Sequence, residues 1–167
     1  MMIILKALYF MLPAYFANMA PVVAMKYFPK LAIPINKRKL GSHKTWRGVI
    51  AAVIVSIIVV IIQRLININS IVDYSQVNIL MLGFLLGFGS MFGDSVKSYF
   101  KRQRGIEPGK PWYVIDQLDY PLGAMMFASL IVGINWLEFL IILIGSFLLT
   151  VAANHVAFKF GIRKVKW

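Results

Sequence analysis

The chain has no cysteine, which excludes a disulfide framework, thiolate metal ligands and a cysteine nucleophile while leaving the compartment open. Acid is scarce: six Asp and Glu stand against eighteen Lys and Arg. Charge of either sign is scarce as well, at 14% of residues against 60% hydrophobic, with a mean hydropathy of +0.76. A soluble globule of 167 residues must keep much of its surface polar, and this composition cannot supply that surface. It therefore specifies an integral membrane protein. The net charge of +12 does not form a nucleic-acid footprint, because apolar runs split the basic residues and hold most of the aromatics. Anionic headgroups and phosphorylated substrates suit it better.

Five apolar segments, roughly 3–25, 48–66, 77–97, 121–136 and 137–158, are measured against the about 20 residues a span requires. They predict an all-α, polytopic membrane protein with five transmembrane helices and a single transmembrane domain over 1–167. The first segment lacks a basic stretch before its apolar run and carries Pro13, Asn18 and Pro21, so it reads as a retained helix rather than a signal peptide. Sixteen of the eighteen basic residues fall in 26–47, 97–110 and 159–166, leaving only Lys6 and Arg64 for the other side. The positive-inside rule then predicts an outside N-terminus, a cytoplasmic C-terminus and cytoplasmic loops at about 26–47 and 101–118, in the cell membrane. Because the fourth segment is short, Asp116 and Asp119 are expected at or just below the membrane surface. Tyr120-Pro121 is expected to open that helix, with proline in its first turn. In the third segment Gly83 with Gly87, and Gly89 with Gly93, are small-xxx-small pairs suited to an internal or an intermolecular helix contact, and the oligomeric state is left open.

The stretch from Gly93 to Tyr120 holds four of the six acids, Asp94, Glu107, Asp116 and Asp119, among Lys97, Lys101, Arg102, Arg104 and Lys110. On a helix, Asp94, Lys97, Ser98, Lys101 and Arg102 fall at i, i+3, i+4, i+7 and i+8, a polar stripe climbing out of the bilayer on one face. Carboxylates near a membrane are costly unless paired with cations, metals or water. Asp116 and Asp119, three apart, could face one cation, with Asp94 approaching from the preceding helix. An oxygen-only donor set favours Mg²⁺ or a similar hard ion. The competing reading is a set of structural ion pairs with the neighbouring cations. In the other loop, Gly41-Ser42-His43-Lys44-Thr45-Trp46-Arg47-Gly48 precedes the second span. Thr45 is suited to cap that helix, and the free amides beside Lys44 and Arg47 form an anion site; the alternative is Trp46 and snorkelling cations anchoring the helix. Lys44-Thr45 ends like a phosphate-binding loop but has neither its earlier glycine nor its strand. Asn18, Asn154 and His155, taken alone, read as interhelical hydrogen-bonding groups.

Gly93-Asp94, Ser98-x-x-Lys101-Arg102 and the basic loop ending in Asp116-x-x-Asp119 resemble the signature of the CTP-dependent phosphatidate cytidylyltransferases. Pro111-Trp112-Tyr113 stands where the bacterial type has a His-Gly-Gly element, which points to the archaeal branch. Pro13-Ala14-Tyr15-Phe16-Ala17-Asn18 with Pro21, Lys44-Thr45-Trp46-Arg47-Gly48 and the basic tail ending in Trp167 extend the resemblance over nearly the whole chain. His43 departs from it, standing where the family has a small residue. The resemblance implies a cytidylyltransferase that joins CTP to an unsaturated diether glycerol phosphate lipid, 2,3-di-O-geranylgeranylglyceryl phosphate, giving CDP-archaeol and pyrophosphate with Mg²⁺. It implies Asp94, Lys101, Asp116 and Asp119 as catalytic residues, the three aspartates as metal ligands, and Asn18, Lys44, Thr45, Arg47, Lys97, Ser98 and Arg102 as substrate-binding. The alternatives are a diacyl phosphatidate cytidylyltransferase, a CTP-dependent polyprenol kinase and a non-enzymatic anion transporter. The last is disfavoured because no basic residue lies mid-membrane.

Overall fold

In a computed structural model, which describes residues 2–66, 68, 70–107 and 110–161, the chain is all-helical, with one isolated bridge and no strand among the described residues. The helices are α1 (Met2–Tyr27), the four-residue turn α2 (Lys37–Leu40), α3 (Trp46–Ile66), α4 (Ile79–Gln103), α5 (Ile115–Ala128) and α6 (Trp136–Lys159), with a 3₁₀ turn at Pro29–Leu31. Four of them, α1, α3, α4 and α6, are long and apolar enough to cross a membrane. At 1.5 Å per residue the 14 residues of α5 extend only about 21 Å, short of a hydrocarbon core of about 30 Å. Each long helix exposes large apolar side chains outward, such as Ile54, Ile58, Ile144 and Leu148. The bundle interior is closed by Phe10, Met11, Leu82, Leu86, Met125 and Ile142, all fully buried.

Small residues decide which helices touch. The inward face of α3 reads Gly48, Ala52, Ser56, Val60 and Gln63. Gly83 and Gly87 of α4 lie against it: a Cβ on Gly83 would sit 2.6 Å from the Ile57 Cα, and one on Gly87 2.9 Å from the Val53 Cα. The other pair turns to α5, where a Cβ on Gly89 would lie 3.0 Å from the Ala124 Cα and one on Gly93 3.2 Å from the Gly123 Cα. Both glycine pairs therefore serve contacts within the chain, and α4 is the central helix.

Two prolines sit inside α1 without ending it. Pro13 has no N–H to offer the Tyr9 carbonyl one turn back, and the buried Gln63 carboxamide of α3 donates to that oxygen instead, at 2.5 Å. This bond ties α1 to α3 at the end far from the acidic stretch. The start of α5 differs from expectation: it begins at Ile115, so Pro121 is its seventh residue rather than part of its first turn. It ends at Ala128, well before 136. Helix α6 begins at Trp136 under a capping box, Asn135 accepting from the Glu138 amide at 2.9 Å while the Glu138 carboxylate accepts from the Asn135 amide at 3.0 Å. Helix α4 runs six residues past the expected boundary at 97, so its polar residues stand on unbroken helix. Their stripe faces inward, with Ser98 and Lys101 buried, because α5 and the segment after α1 pack over it.

Candidate active site

Four chain segments meet at one end of the bundle: the last turns of α1 and α4 and the first turns of α3 and α5. Local bonds set the approach to α3. Ile35 donates to the Lys44 carbonyl at 2.8 Å and Trp46 to the Ile33 carbonyl at 3.0 Å, folding the loop back on itself. Thr45 caps α3, its Oγ1 accepting from the Gly48 amide at 3.2 Å. That fold presents Lys44 to α4, where its ammonium pairs with Asp94.

Before α5 the chain makes a tight turn at Val114, φ +68°, closed by the Ile115 amide donating to the Tyr113 carbonyl at 2.8 Å. A β-branched residue in that region is strained. The neighbouring bonds hold it: the Asp116 amide donates to the Trp112 carbonyl at 3.0 Å, and the Trp112 amide donates to the Asp116 carboxylate at 2.7 Å. The Arg104 guanidinium lies over the Trp112 ring, 4.9 Å from its centroid. Helix α5 thereby starts one residue before Asp116 and carries Asp116 and Asp119 on the face toward α4.

Lys97 stands at the centre. Its Nζ is 3.0 Å from Asp94, 3.2 Å from Asp116 and 2.6 Å from Asp119. Lys101 Nζ is 3.1 Å from Asp116 and donates to the Lys110 carbonyl at 2.6 Å. The Asp119 side chain is 4% exposed, and its second oxygen accepts from the Tyr120 amide at 2.7 Å. The Asp116 carboxylate accepts from the Trp112 amide and is paired with the ammoniums of Lys97 and Lys101. So Asp94, Lys97, Lys101, Asp116, Asp119 and Lys44 form one ion cluster.

The other residues singled out from the sequence lie around it in different ways. Ser98 is buried and its hydroxyl donates to the Asp94 carbonyl one turn back, at 2.8 Å. Arg102 donates to the Ile106 carbonyl and Arg47 to the Phe28 carbonyl, and each keeps a buried Nε without a partner among the described residues. Asn18 is half-buried on α1. Sequence reasoning missed Trp112 as the group orienting Asp116, although its spacing of four from the aspartate was available, and it missed Gly123, four residues after Asp119. It also passed over Gln117, which is 1% exposed with its Oε1 lacking a partner among the described residues.

Two cavities reach the cluster. One is an apolar groove of about 690 Å³ between α4 and α5, with Lys97 and Asp119 at one end and Ile134 and Phe139 at the other. The second, about 40 Å³, is lined by Asp94, Lys44, Thr45, Gly48 and Pro21 at the N-terminus of α3. Among the described residues no three acidic or histidine side chains close on a point as metal ligands do. The three aspartates instead surround an ammonium. Their hard anionic oxygens suit a divalent ion such as Mg²⁺, and Lys97 Nζ is the cation now standing among them.

The CarS-like CDP-archaeol synthase family model matches residues 1–167. CDP-archaeol synthases of Thermococcus onnurineus and Methanocaldococcus jannaschii are similar at 33% and 31% identity. The aligned regions cover 98% and 99% of this chain and 97% and 98% of theirs. The CDP-archaeol synthase of Pyrococcus horikoshii is 35% identical over 98% of this chain and 97% of its own. A solved structure of an intramembrane enzyme for archaeal membrane lipids biosynthesis superposes with a TM-score of 0.76 at 28% identity, over 90% of this chain and 94% of that one. Matched from end to end in sequence, and over nine-tenths of its length in structure, the chain belongs to the CDP-archaeol synthase family.

Proposed function

We propose that the protein transfers the cytidylyl group of CTP to a diether glycerol phosphate lipid, 2,3-di-O-geranylgeranylglyceryl phosphate, forming CDP-archaeol and releasing pyrophosphate at the cytoplasmic face of the cell membrane. The carrying observation is the ion cluster at the head of the groove, with three carboxylates and three ammoniums where an apolar channel ends. A lipid can lie with its chains along the groove and its phosphate at Lys97, so only the headgroup leaves the bilayer. The triphosphate approaches from the α3 side, toward Lys44 and the helix N-terminus capped by Thr45. Arg47 and Arg102, each with a buried Nε unpartnered among the described residues, are further donors to phosphate oxygens.

The lipid phosphate oxygen attacks the α-phosphorus, a new P–O bond forms, and the bond to the β-phosphate breaks. A phosphate monoester with a second pKa of about 6 is already largely dianionic at neutral pH, so no general base is needed. Asp94, Asp116 and Asp119 are the residues that would hold Mg²⁺, which neutralises phosphate charge and orients the triphosphate when bound. Lys97, Lys101 and Lys44 offset the charge gathering on the transferred group and on pyrophosphate. The Trp112 amide keeps Asp116 aimed inward.

Five crossings with an outside N-terminus and a cytoplasmic C-terminus accord with this arrangement. The cluster and the loops richest in Lys and Arg share one end of the bundle, while Lys6 and Arg64 lie toward the other. The short α5, followed by the turn over 129–135, supplies the remaining crossing, and its limited length keeps Asp116 and Asp119 close to the membrane surface. The test is labelled CTP with purified protein and the diether phosphate lipid: pyrophosphate and a CDP-lipid are the expected products. Release of CDP would identify a kinase instead, and equal turnover of diacyl phosphatidate would remove the diether assignment.

A further inference from the structure

We propose that Lys97 is a place-holder for the divalent cation, so that metal and nucleotide enter the site as a unit and the metal alone binds poorly. This rests on the cytidylyl-transfer reading and its metal assignment. Lys97 Nζ lies within 3.2 Å of all three aspartates. With Lys44 on Asp94 and Lys101 on Asp116, three ammoniums balance three carboxylates. The cluster is neutral as it stands. A bare divalent ion would add two positive charges to a partly desolvated site and would force out the Lys97 ammonium, whose side chain is only 14% exposed.

Among the described residues the Lys97 ammonium pairs with no carboxylate beyond these three. The remaining acids are Asp73, in the turn between α3 and α4, and Glu138, in the first turn of α6, both at the far end, and Glu107, exposed in the turn after α4. A triphosphate removes both obstacles. It brings the negative charge that offsets the metal, and it gives Lys97 an anionic partner on the same side of α4. The lysine's flexible stem lets the head group move from carboxylates to phosphate without moving the helix. Binding of metal and of polyphosphate is then positively coupled, and each raises the affinity of the other by the same factor.

The experiment uses the full chain in lipid nanodiscs with Mn²⁺ in place of Mg²⁺, reading bound ion by electron paramagnetic resonance. Titrations run with and without an α,β-methylene analogue of CTP, and the protein-free Mn²⁺–analogue complex is measured separately. In the wild type the analogue raises Mn²⁺ affinity about tenfold or more. Lys97→Met takes up Mn²⁺ by itself about tenfold more tightly than the wild type and loses most of the coupling. Lys97→Arg, which keeps the cation, binds Mn²⁺ alone as weakly as the wild type. Equal Mn²⁺ affinity in the wild type with and without the analogue, together with no gain in Lys97→Met, overturns the place-holder while leaving the metal assignment standing. Failure of every protein to take up Mn²⁺ under any condition overturns both.

Discussion

Gly93→Ala is a small change with a large expected consequence. A Cβ at this position would press into the Asp119 carbonyl, 2.9 Å from its carbon and 3.2 Å from the Gly123 Cα. Reaching the 3.4 Å at which ordinary contact begins requires at least half an ångström at the carbon, and the carbonyl oxygen, which lies nearer, requires more. Helix α5 must therefore retreat from α4 by on the order of 1 Å, a displacement that costs roughly a hundredfold in rate when it falls on positioned reacting groups. It falls there: Asp119 is the residue touched, and its 2.6 Å pair with Lys97 is the shortest of the three distances around that ammonium. The stability cost of the added methyl is about 1 to 3 kcal/mol. Gly83→Ala is the matched control, since its Cβ would crowd Ile57 at 2.6 Å, yet it lies 14 residues, or about 21 Å of helix, from Lys97. Both variants should insert and lose similar stability by thermal unfolding in detergent. Only Gly93→Ala should lose about a hundredfold in CTP turnover. Wild-type turnover in that variant, or an equal loss in both, would refute the argument that α4–α5 spacing sets the site.

Other outcomes follow from the same geometry. Asp119→Asn removes the charge of the most buried carboxylate and should lower turnover about a hundredfold or more with membrane insertion unchanged; a variant of normal activity would end the metal-ligand assignment. Chelation of divalent ions should stop CDP-lipid formation and Mg²⁺ should restore it, whereas turnover persisting in excess chelator would exclude a metal-dependent transfer. Gln63→Leu leaves the Tyr9 carbonyl without the donor that Pro13 cannot be. The expected loss is about 1 to 2 kcal/mol of stability with turnover per folded protein intact, because the bond lies at the end away from the ion cluster. An unchanged unfolding midpoint would mean that the carbonyl finds another partner.

Residues alone determined the class of the molecule and which polar side chains share one helical face. Sixty per cent apolar composition compels a membrane environment because no fold could cover that surface with so few charges. The i, i+3, i+4, i+7, i+8 spacing from Asp94 to Arg102 put five polar groups on one helical face, and Asp116-x-x-Asp119 put two acids on another; helical periodicity is a local property that spacing reveals. Thr45 as a cap and Gly89 with Gly93 as a packing pair were legible for the same reason. What only tertiary structure decided is which faces meet. Nothing in the spacing says that Gly83 and Gly87 turn to α3 while Gly89 and Gly93 turn to α5, because that depends on Gly123 arriving opposite them. The turn at Val114, held by the reciprocal Trp112 and Asp116 bonds, starts α5 six residues before Pro121. The polar stripe faces inward rather than toward water, and Lys97 rather than an aspartate holds the centre. Charges drawn from three segments find their arrangement only when the helices bearing them are packed, for the energy of each depends on distances that no local pattern contains.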